Sequence, residues 1–266
     1  MEQPLILLTN DDGIKSAGLW AAARALAPLG ELLIVAPDRQ WSGAGRSMPP
    51  FVTGALQEIA LPADLVGAGC AFAVDATPAL TVTHACTELS TRPPALVVSG
   101  INSGENLSTE ITVSGTVGAA LEGAASGIPG LAVSLEMPVS AHLTGQADTD
   151  YAAAAYFTRH FAGLMLRRPL PYDVNVLNIN VPCDATAQTP WRLTQLSRRR
   201  YFEPLSPDRA NGVGRPGYRV MEDPRQAEPD SDICAVVVER IVSVTPLSLD
   251  LTSRAGWGAI EEELRR

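Results

Sequence analysis

An apolar run that ends abruptly in two adjacent carboxylates constrains this chain more than any other stretch. Residues 5–8 are followed by Thr-Asn-Asp-Asp-Gly, which ends at Gly13. A short apolar run bounded by turn residues predicts a buried strand. Two neighbouring carboxylates, Asp11 and Asp12, destabilise the mouth of such a strand unless a cation lies there, and a hard divalent ion with oxygen ligands meets that requirement. The alternative is that the two aspartates only start a turn, with one of them capping the following helix.

A strand–helix–strand order follows this first segment. Residues 16–29 are rich in Ala and Leu at helical spacing, and residues 31–37 (ELLIVAP) predict a second strand. This order is typical of a parallel sheet, in which ligands collect at the carboxyl ends of the strands. Residues 38–47 (DRQWSGAGRS) are therefore expected near the two aspartates. Their hydroxyl and guanidinium groups suit oxygen anions, although the lysine pattern of a phosphate loop is absent and a plain surface turn would look similar.

Two further segments place polar residues at the same expected edge. Residues 94–99 (PALVVS) predict a third buried strand, and its mouth carries residues 100–106 (GINSGEN), a composition that is also typical of a turn. Residues 114–116 (Ser-Gly-Thr) open a predicted helix that runs to about residue 126. Such a helix start offers backbone N–H groups and the positive end of the helix dipole, which together make an anion site. A helix cap without a ligand is the alternative.

The rest of the chain extends the sheet and then changes character after residue 182. The sequence predicts strands at 130–134, 174–181 (which closes the sheet), 191–197 and 235–244, and helices at 150–166 and 257–265. A Pro-, Gly- and charge-rich stretch at 203–232 is too long for an ordinary connection. We therefore expect an α/β parallel-sheet core over residues 1–182 and an extension over residues 183–266, packed together as one domain.

Composition narrows the partners that the protein is expected to have. The 266 residues carry a formal net charge of −9 and a pI near 4.9, so no nucleic-acid partner is expected, because such surfaces need a basic stripe. The four cysteines form no C-x-x-C pair and are expected as small buried side chains of a reduced protein. The chain shows no signal-peptide pattern and no apolar run long enough for a bilayer. We expect a cytoplasmic protein without a membrane partner.

Five motifs in order resemble the SurE family of stationary-phase survival proteins. They read TNDDG, APDRQWSGAGRS, SGINSGENLS, SGTVGAALEG and VSVTPLSLDLT, and they span most of residues 5–252. Each motif alone is weak, whereas the ordered set is specific. The resemblance implies a metal-dependent 5′-nucleotidase, a phosphatase of nucleoside monophosphates. It also implies a Rossmann-like, three-layer α/β domain with a β-rich C-terminal extension used in oligomerisation, as a homodimer or homotetramer.

The functional residues of the family carry over position by position. The resemblance implies one divalent ion per subunit, Mg²⁺ or Mn²⁺, held by Asp11, Asp12, Ser42 and Asn102. It implies phosphate binding by Asn102, Asn106, Ser114, Gly115 and Thr116. The residues expected to take part in catalysis are Asp11, Asp12, Asn106 and Ser114.

The residue chemistry leaves the attack step and the protein class open. Asp11 is the candidate either for a general base toward the attacking water, which we favour, or for a nucleophile that forms an aspartyl-phosphate. A haloacid-dehalogenase-like phosphohydrolase is disfavoured, because that class has its two aspartates two positions apart. A non-catalytic nucleotide or metal sensor on the same scaffold is the alternative from another class.

Two departures from the family pattern concern the substrate rather than the metal. The usual Gly-Thr-Pro-x-Asp-Cys reads Ala-Thr-Pro-Ala-Leu-Thr at residues 76–81, and the usual Ala-Pro-Gly reads Ser-Ala-Gly at residues 16–18. Neither departure removes an expected ligand. The first is expected to reshape the wall of the nucleoside pocket, and it bears on the choice among bases, 5′- and 3′-monophosphates and short polyphosphate.

Overall fold

The computed structural model of the chain describes residues 3–139, 149–209, 212, 214 and 216–266. Its strands, in chain order, are β1 (Leu5–Thr9), β2 (Glu31–Pro37), β3 (Leu56–Glu58), β4 (Gly69–Val74), β5 (Leu96–Ser103), β6 (Gly130–Leu135), β7 (Val176–Val181), β8 (Trp191–Leu193), β9 (Phe202–Leu205), β10 (Gly217–Val220) and β11 (Val242–Leu247). Its helices are α1 (Ala17–Leu26), α2 (Pro78–His84), α3 (Gly115–Ala125), α4 (Ala152–Arg167) and α5 (Trp257–Leu264).

Within the described ranges, nine strands form one sheet in the order β3-β4-β2-β1-β5-β6-β7-β11-β8. The six strands from β4 to β7 in this order run parallel to their neighbours. β3 pairs antiparallel with β4, and β11 pairs antiparallel with β7. β9 and β10 form a separate antiparallel hairpin. The predicted α/β class with a parallel-dominated sheet is confirmed.

The central position of β1 follows from its side chains, which are apolar on both faces. All five of its residues are buried. Ile6 and Leu8 belong to a cluster with residues of α1 and α4, whereas Leu5 and Leu7 belong to a cluster with residues of α2 and α3. Continuous apolar runs are typical of parallel strands that are covered on both faces. Helices therefore lie on both sides of the sheet, in three layers.

The expectation that residues 174–181 close the sheet is wrong. The corresponding strand, β7, lies in the interior, because β11 pairs with it along its length and β8 follows β11. The segment alternates apolar and polar residues. Its polar members, Asn178 and Asn180, are fully buried.

The strand predicted at residues 235–244 is wrong in its first half. Cys234–Val238 forms a helical turn of the wide π type, and the strand begins only at Val242. The turn is started by caps: Ile233 N–H donates to the Asp232 carboxylate at 2.9 Å, and Cys234 N–H donates to the Ser231 hydroxyl at 3.2 Å. These local bonds outweigh the β-branched composition of the segment. The C-terminal helix was predicted correctly, whereas the strand expected at residues 191–197 is shorter.

Candidate active site

The polar segments predicted to meet at one sheet edge follow neighbouring strands. β1 lies between β2 and β5 and is parallel to both. The segments after the ends of these three strands therefore emerge at the same edge of the sheet. α3 begins beside them, because the Gly45 N–H of the β2 loop donates to the Val113 carbonyl at 2.9 Å.

A side-chain-closed turn presents the two aspartates. The Asn10 amide nitrogen donates to the Gly13 carbonyl, and the Gly13 N–H donates to the Asn10 amide oxygen, both at 3.1 Å. Gly13 has a φ of +92°, a conformation that favours glycine. The Ile14 N–H then donates to the Pro37 carbonyl at 2.8 Å, which ties the turn to the end of β2. The turn thus fixes the backbone of both aspartates between its closing residues.

Asp11 lies against the start of α3. Its side chain is buried, with only 4% of the residue exposed. The Thr116 hydroxyl donates to Asp11 Oδ1 at 2.5 Å, and a Cβ placed on Gly115 would lie 2.7 Å from Asp11 Cβ. Burial, and after it the charge of Asp12, raises the pKa of Asp11 to about 7, although hydrogen bonds from Thr116 act in the opposite direction. The helix start therefore holds a carboxylate that is costly to ionise on its own.

Asp12 is bound from both neighbouring strands. The Ser103 N–H at the end of β5 donates to Asp12 Oδ2 at 3.0 Å, and the Gln40 amide of the β2 loop donates to Oδ1 at 3.3 Å. Ser103 is itself held through its hydroxyl, 2.7 Å from the hydroxyl of Tyr151. Sequence reasoning missed these three residues. Gln40 lies in the motif APDRQWSGAGRS and Ser103 in the motif SGINSGENLS. Tyr151 has no sequence signal that links it to Asp12.

Asn102 and Asn106 take different places at the end of β5. The Asn102 amide nitrogen donates to the Gly104 carbonyl at 2.7 Å, which orients the amide oxygen as the remaining ligand atom. Asn106 is enclosed: its amide nitrogen donates to the Ser134 hydroxyl at 2.8 Å, and its backbone N–H donates to Asn180 Oδ1 at 2.7 Å. Its carbonyl accepts from Asn178 and Asn180. The two buried asparagines of β7 were missed, although two Asn in a buried strand are an informative signal.

Ser114 is the N-cap of α3. Its hydroxyl accepts the Val117 N–H at 3.1 Å, so the expected cap exists. A Cβ on Gly118 would lie 2.5 Å from the Gly45 carbonyl oxygen, which shows how closely the β2 loop packs on the helix. Two of the residues expected to bind phosphate, Gly115 and Thr116, lie directly against Asp11.

Ser42 lies on the β2 loop and is exposed. Its neighbour Trp41 donates its backbone N–H to the Asp11 carbonyl at 2.7 Å. The residue directly before Ser42 therefore contacts the backbone of Asp11. In the part of the chain that is described, no hydrogen bond joins its side chain to Asp11, Asp12 or Asn102.

The donor set fits a hard divalent cation. It comprises two carboxylates, the Asn102 amide oxygen and the Ser42 hydroxyl, which are all oxygen ligands of the type that Mg²⁺ and Mn²⁺ prefer. Gly115 keeps the space beside Asp11 open, because a Cβ there would lie 2.8 Å from Asp11 Oδ2. Asp11 and Asp12 are the residues that would hold the ion. Asn102 and Ser42 each follow or precede a residue whose backbone N–H binds one of the two aspartates.

A second cluster of ligand-type residues, Glu136, Cys183 and Asp184, is already paired with the guanidinium of Arg240. Its ligand atoms lie within 4.8 Å of one another. Arg240 Nη2 lies 2.6 Å from the Glu136 carboxylate and 2.7 Å from that of Asp184. The guanidinium therefore takes the place that a cation would need, and we interpret the cluster as an ion-pair network.

The sequence of the chain is similar to those of a known protein family. The family model described as "Survival protein SurE" matches residues 6–203. A protein of Thermococcus gammatolerans named 5′-nucleotidase SurE is 44% identical over 263 residues, covering 97% of this chain and 95% of that protein. A protein of Thermococcus kodakarensis with the same name is 41% identical, covering 98% and 97%.

The fold comparison gives the same result. The crystal structure of the SurE protein from Aquifex aeolicus superposes with a TM-score of 0.76 at 32% identity, and the match covers 99% of this chain and all of that one. Within the described ranges, no helix combines the length and apolar character needed to cross a membrane. On the extent of these matches, the chain belongs to the SurE family.

Proposed function

We propose that the protein is a metal-dependent phosphomonoesterase that hydrolyses nucleoside 5′-monophosphates to nucleoside and phosphate. The observation that carries the proposal is the pair Asp11 and Asp12 at the carboxyl edge of the sheet, with Asp11 directly against the N-terminus of α3. The names of the relatives, 5′-nucleotidase SurE, support the reaction. The 3′-monophosphates and short polyphosphate are further substrates to be tested.

The ion belongs at the aspartate pair. We assign one Mg²⁺ or Mn²⁺ per subunit to Asp11, Asp12, Asn102 and Ser42. A bound divalent ion supplies polarisation of a phosphoryl oxygen and offsets the charge of the two carboxylates. The hydrogen bonds from Ser103 to Asp12 and from Thr116 to Asp11 orient the two ligands before the ion arrives, and such outer partners are worth a considerable part of metal affinity.

The start of α3 orients the phosphate. Gly115 and Thr116 are the first residues of the helix, where backbone N–H groups and the helix dipole favour negative charge. Ser114 fixes this end as its cap. Asn106 is held rigidly by its bonds to Ser134 and Asn180 and so keeps the β5 loop in place. Together these groups stabilise the charge on the equatorial oxygens, where most catalysis of phosphoryl transfer resides.

Asp11 is our choice for the proton acceptor. A water that attacks phosphorus in line must lose a proton, and a carboxylate within hydrogen-bond reach receives it. Thr116 anchors Oδ1 of Asp11, so Oδ2, on the Gly115 side, is the atom assigned to the proton. Attack by Asp11 itself is the rival, and reductive trapping of an aspartyl-phosphate after a single turnover would establish that rival.

We also propose how the protein assembles and where in the cell it is located. We assign oligomerisation, as a dimer or tetramer, to the extension over residues 183–266, and catalysis to residues 1–182. The exposed apolar residues of α5, Trp257 and Leu264, support an interface in the extension. A cytoplasmic location stays a prediction.

The test is phosphate release from a panel of nucleoside monophosphates and short polyphosphate with Mg²⁺, with Mn²⁺ and with EDTA. We expect release that depends on the metal. Asp12→Asn should keep the melting temperature near that of the wild type and lower kcat more than about 100-fold, since even outer-shell partners of a metal are worth 10–100-fold. Near-full activity in Asp12→Asn contradicts the site. Binding of the ion and nucleotide without any release favours a sensor instead.

A further inference from the structure

We propose that Trp41 is the platform on which the base of the nucleotide stacks, and that this residue selects nucleotides over other phosphate esters. The inference rests on the function proposed above, and it assigns base recognition to a residue outside the ligand set. Trp41 stands in the β2 loop, between Gln40, which binds Asp12, and Ser42.

The position of Trp41 places an aromatic ring beside the reacting group. Its backbone N–H donates to the Asp11 carbonyl at 2.7 Å. The same loop packs on the start of α3 through Gly45, where the phosphate is assigned. In a nucleoside monophosphate a single sugar ring separates the phosphate from the base. A ring this close to the phosphate site is therefore within reach of the base.

The ring is already supported on one face. The guanidinium carbon of Arg39 lies 4.8 Å from the centroid of the Trp41 ring, a cation–π contact. Arg39 is in turn held by Asp75, with 2.8 Å between Nη2 and Oδ1. The anchored cation backs the indole and leaves stacking to the opposite face. Stacking on an aromatic ring accepts every base, because every base has a π-face.

A comparison of two tryptophans separates a structural ring from a ligand-facing one. The indole N–H of Trp20 donates to the Ile14 carbonyl at 2.9 Å, which fixes that partly buried ring. The indole nitrogen of Trp41 is buried, and it has no hydrogen-bond partner among the described residues. A buried donor without a partner costs free energy, and such groups in native proteins call for a functional reason. Of the two rings, Trp41 is the one whose surroundings a ligand completes.

The experiment compares one substrate that carries a base with one that lacks it. The value of kcat/KM is measured with Mg²⁺ for adenosine 5′-monophosphate and for ribose 5-phosphate, in the wild type and in Trp41→Ala and Trp41→Phe. We expect Trp41→Ala to lower the ratio of the two values about 10-fold or more, mainly through KM for the nucleotide, given the usual size of base stacking on aromatic residues. Trp41→Phe keeps a ring, so we expect it to retain a larger share of the ratio.

Trp191→Ala is the matched control, because Trp191 is a partly exposed tryptophan on the far edge strand β8. We expect this variant to keep the wild-type ratio of the two kcat/KM values. The inference is overturned if Trp41→Ala leaves the ratio of the two kcat/KM values unchanged, whether both values stay at the wild-type level or both fall equally.

Tryptophan emission gives a readout that does not need turnover. We expect adenosine 5′-monophosphate to quench the emission of the wild type more than that of Trp41→Phe, and ribose 5-phosphate to quench neither. Equal quenching of both proteins by the nucleotide overturns the inference. If the wild type hydrolyses neither ester, the proposed function fails, and the emission experiment then decides the role of Trp41 alone.

Discussion

The sheet edge that carries the aspartates and the part of the chain after residue 182 are held in different ways. Every residue of β1, β6 and β7 is buried, and the side chains of Asp11, Asp12 and Asn106 are fixed by hydrogen bonds to residues far away in the sequence. In α5, by contrast, every residue is exposed. Close packing makes the site sensitive to single atoms, whereas the last helix tolerates change because little touches it.

A buried carboxylate, that of Asp232, joins the later part of the chain to the segment that follows β5. The Ser108 N–H donates to Asp232 Oδ2 at 2.6 Å, and the Ser197 N–H donates to Oδ1 at 3.0 Å. Ser108 has a φ of +59°, which is uncommon for a residue other than glycine. It follows Asn106 by two positions. Asp232 thus ties the β5 loop to the extension.

The largest effect is expected from one added methyl group beside Asp11, compared with one added methyl group in α5. In Gly115→Ala the new Cβ would lie 2.7 Å from Asp11 Cβ and 2.8 Å from its Oδ2, so the aspartate or the helix start must shift. We expect kcat/KM for a nucleoside monophosphate to fall about 100-fold, the effect of a displacement of about 1 Å in a catalytic group. Steady-state kinetics with Mg²⁺ and a thermal melt measure the loss of activity and the stability separately.

Gly258→Ala is the matched control in α5. Among the described residues, nothing lies within 4 Å of a Cβ at Gly258, and alanine is a better helix former than glycine. Activity is expected to stay within about two-fold of the wild type, because surface substitutions have small effects. If Gly115→Ala and Gly258→Ala lose activity to the same extent, the site is no more sensitive to an added methyl group than α5, and the argument from packing is wrong.

The buried strands that carry the site were predicted well from the sequence, for a physical reason. Continuous apolar runs at residues 5–8, 31–37 and 94–99 have no solvated face, and they became β1, β2 and β5. The motif residues lie at the ends of those strands, so their meeting at one edge follows from parallel topology. The partners that cross the fold could not be predicted. Nothing local indicates that Thr116 binds Asp11, or that Tyr151 holds the serine that binds Asp12.

The extension was predicted less well because its structure depends on caps and ion pairs rather than on periodicity. Residues 235–238 are β-branched or small, which favours a strand. Asp232 and Ser231 cap the segment and convert it into a helical turn. The assignment of the individual site residues to metal, phosphate and proton stays a prediction, since the structure fixes their positions and not their ligands.

A smaller effect is expected where the extension is anchored by charge. Arg240 binds Glu136, whose side chain is 15% exposed, and the arginine side chain itself is 34% exposed. Arg240→Gln should lower the free energy of unfolding by about 1–3 kcal/mol, between the values for surface and buried pairs because solvent screens the partly exposed arginine. Denaturant unfolding of the wild type and the variant measures this difference in the free energy of unfolding. Arg24→Gln is the control: Arg24 and Asp64 are both about half exposed, and we expect a much smaller change in the free energy of unfolding, because solvent screens an exposed pair.

The effect of Arg240→Gln should depend on pH with a definite sign. Burial alone would raise the pKa of Glu136, but hydrogen bonds from Arg240 and Cys183 hold the pKa below its ordinary value of 4.5. A carboxyl whose pKa is lowered by folding stabilises the protein above the unfolded pKa, and this stabilisation is lost as the pH falls through the folded one. The difference between wild type and Arg240→Gln should be full at neutral pH and shrink below about pH 4.5. A difference that grows in acid contradicts this assignment of the ion pair.

The smallest effect on the protomer is expected from removing α5 altogether. A chain that ends at Ala255 loses residues that are all exposed, including Trp257 at 79% and Leu264 at 82%. Its free energy of unfolding should therefore change by less than about 0.5 kcal/mol if the helix touches only solvent. An apolar stripe of this exposure is costly to leave in water, which is why we assign an interface to the extension. Sedimentation of the full and shortened chains checks both statements: a smaller assembly with unchanged phosphate release per protomer supports the assignment, and identical sedimentation of the two chains removes α5 from the interface.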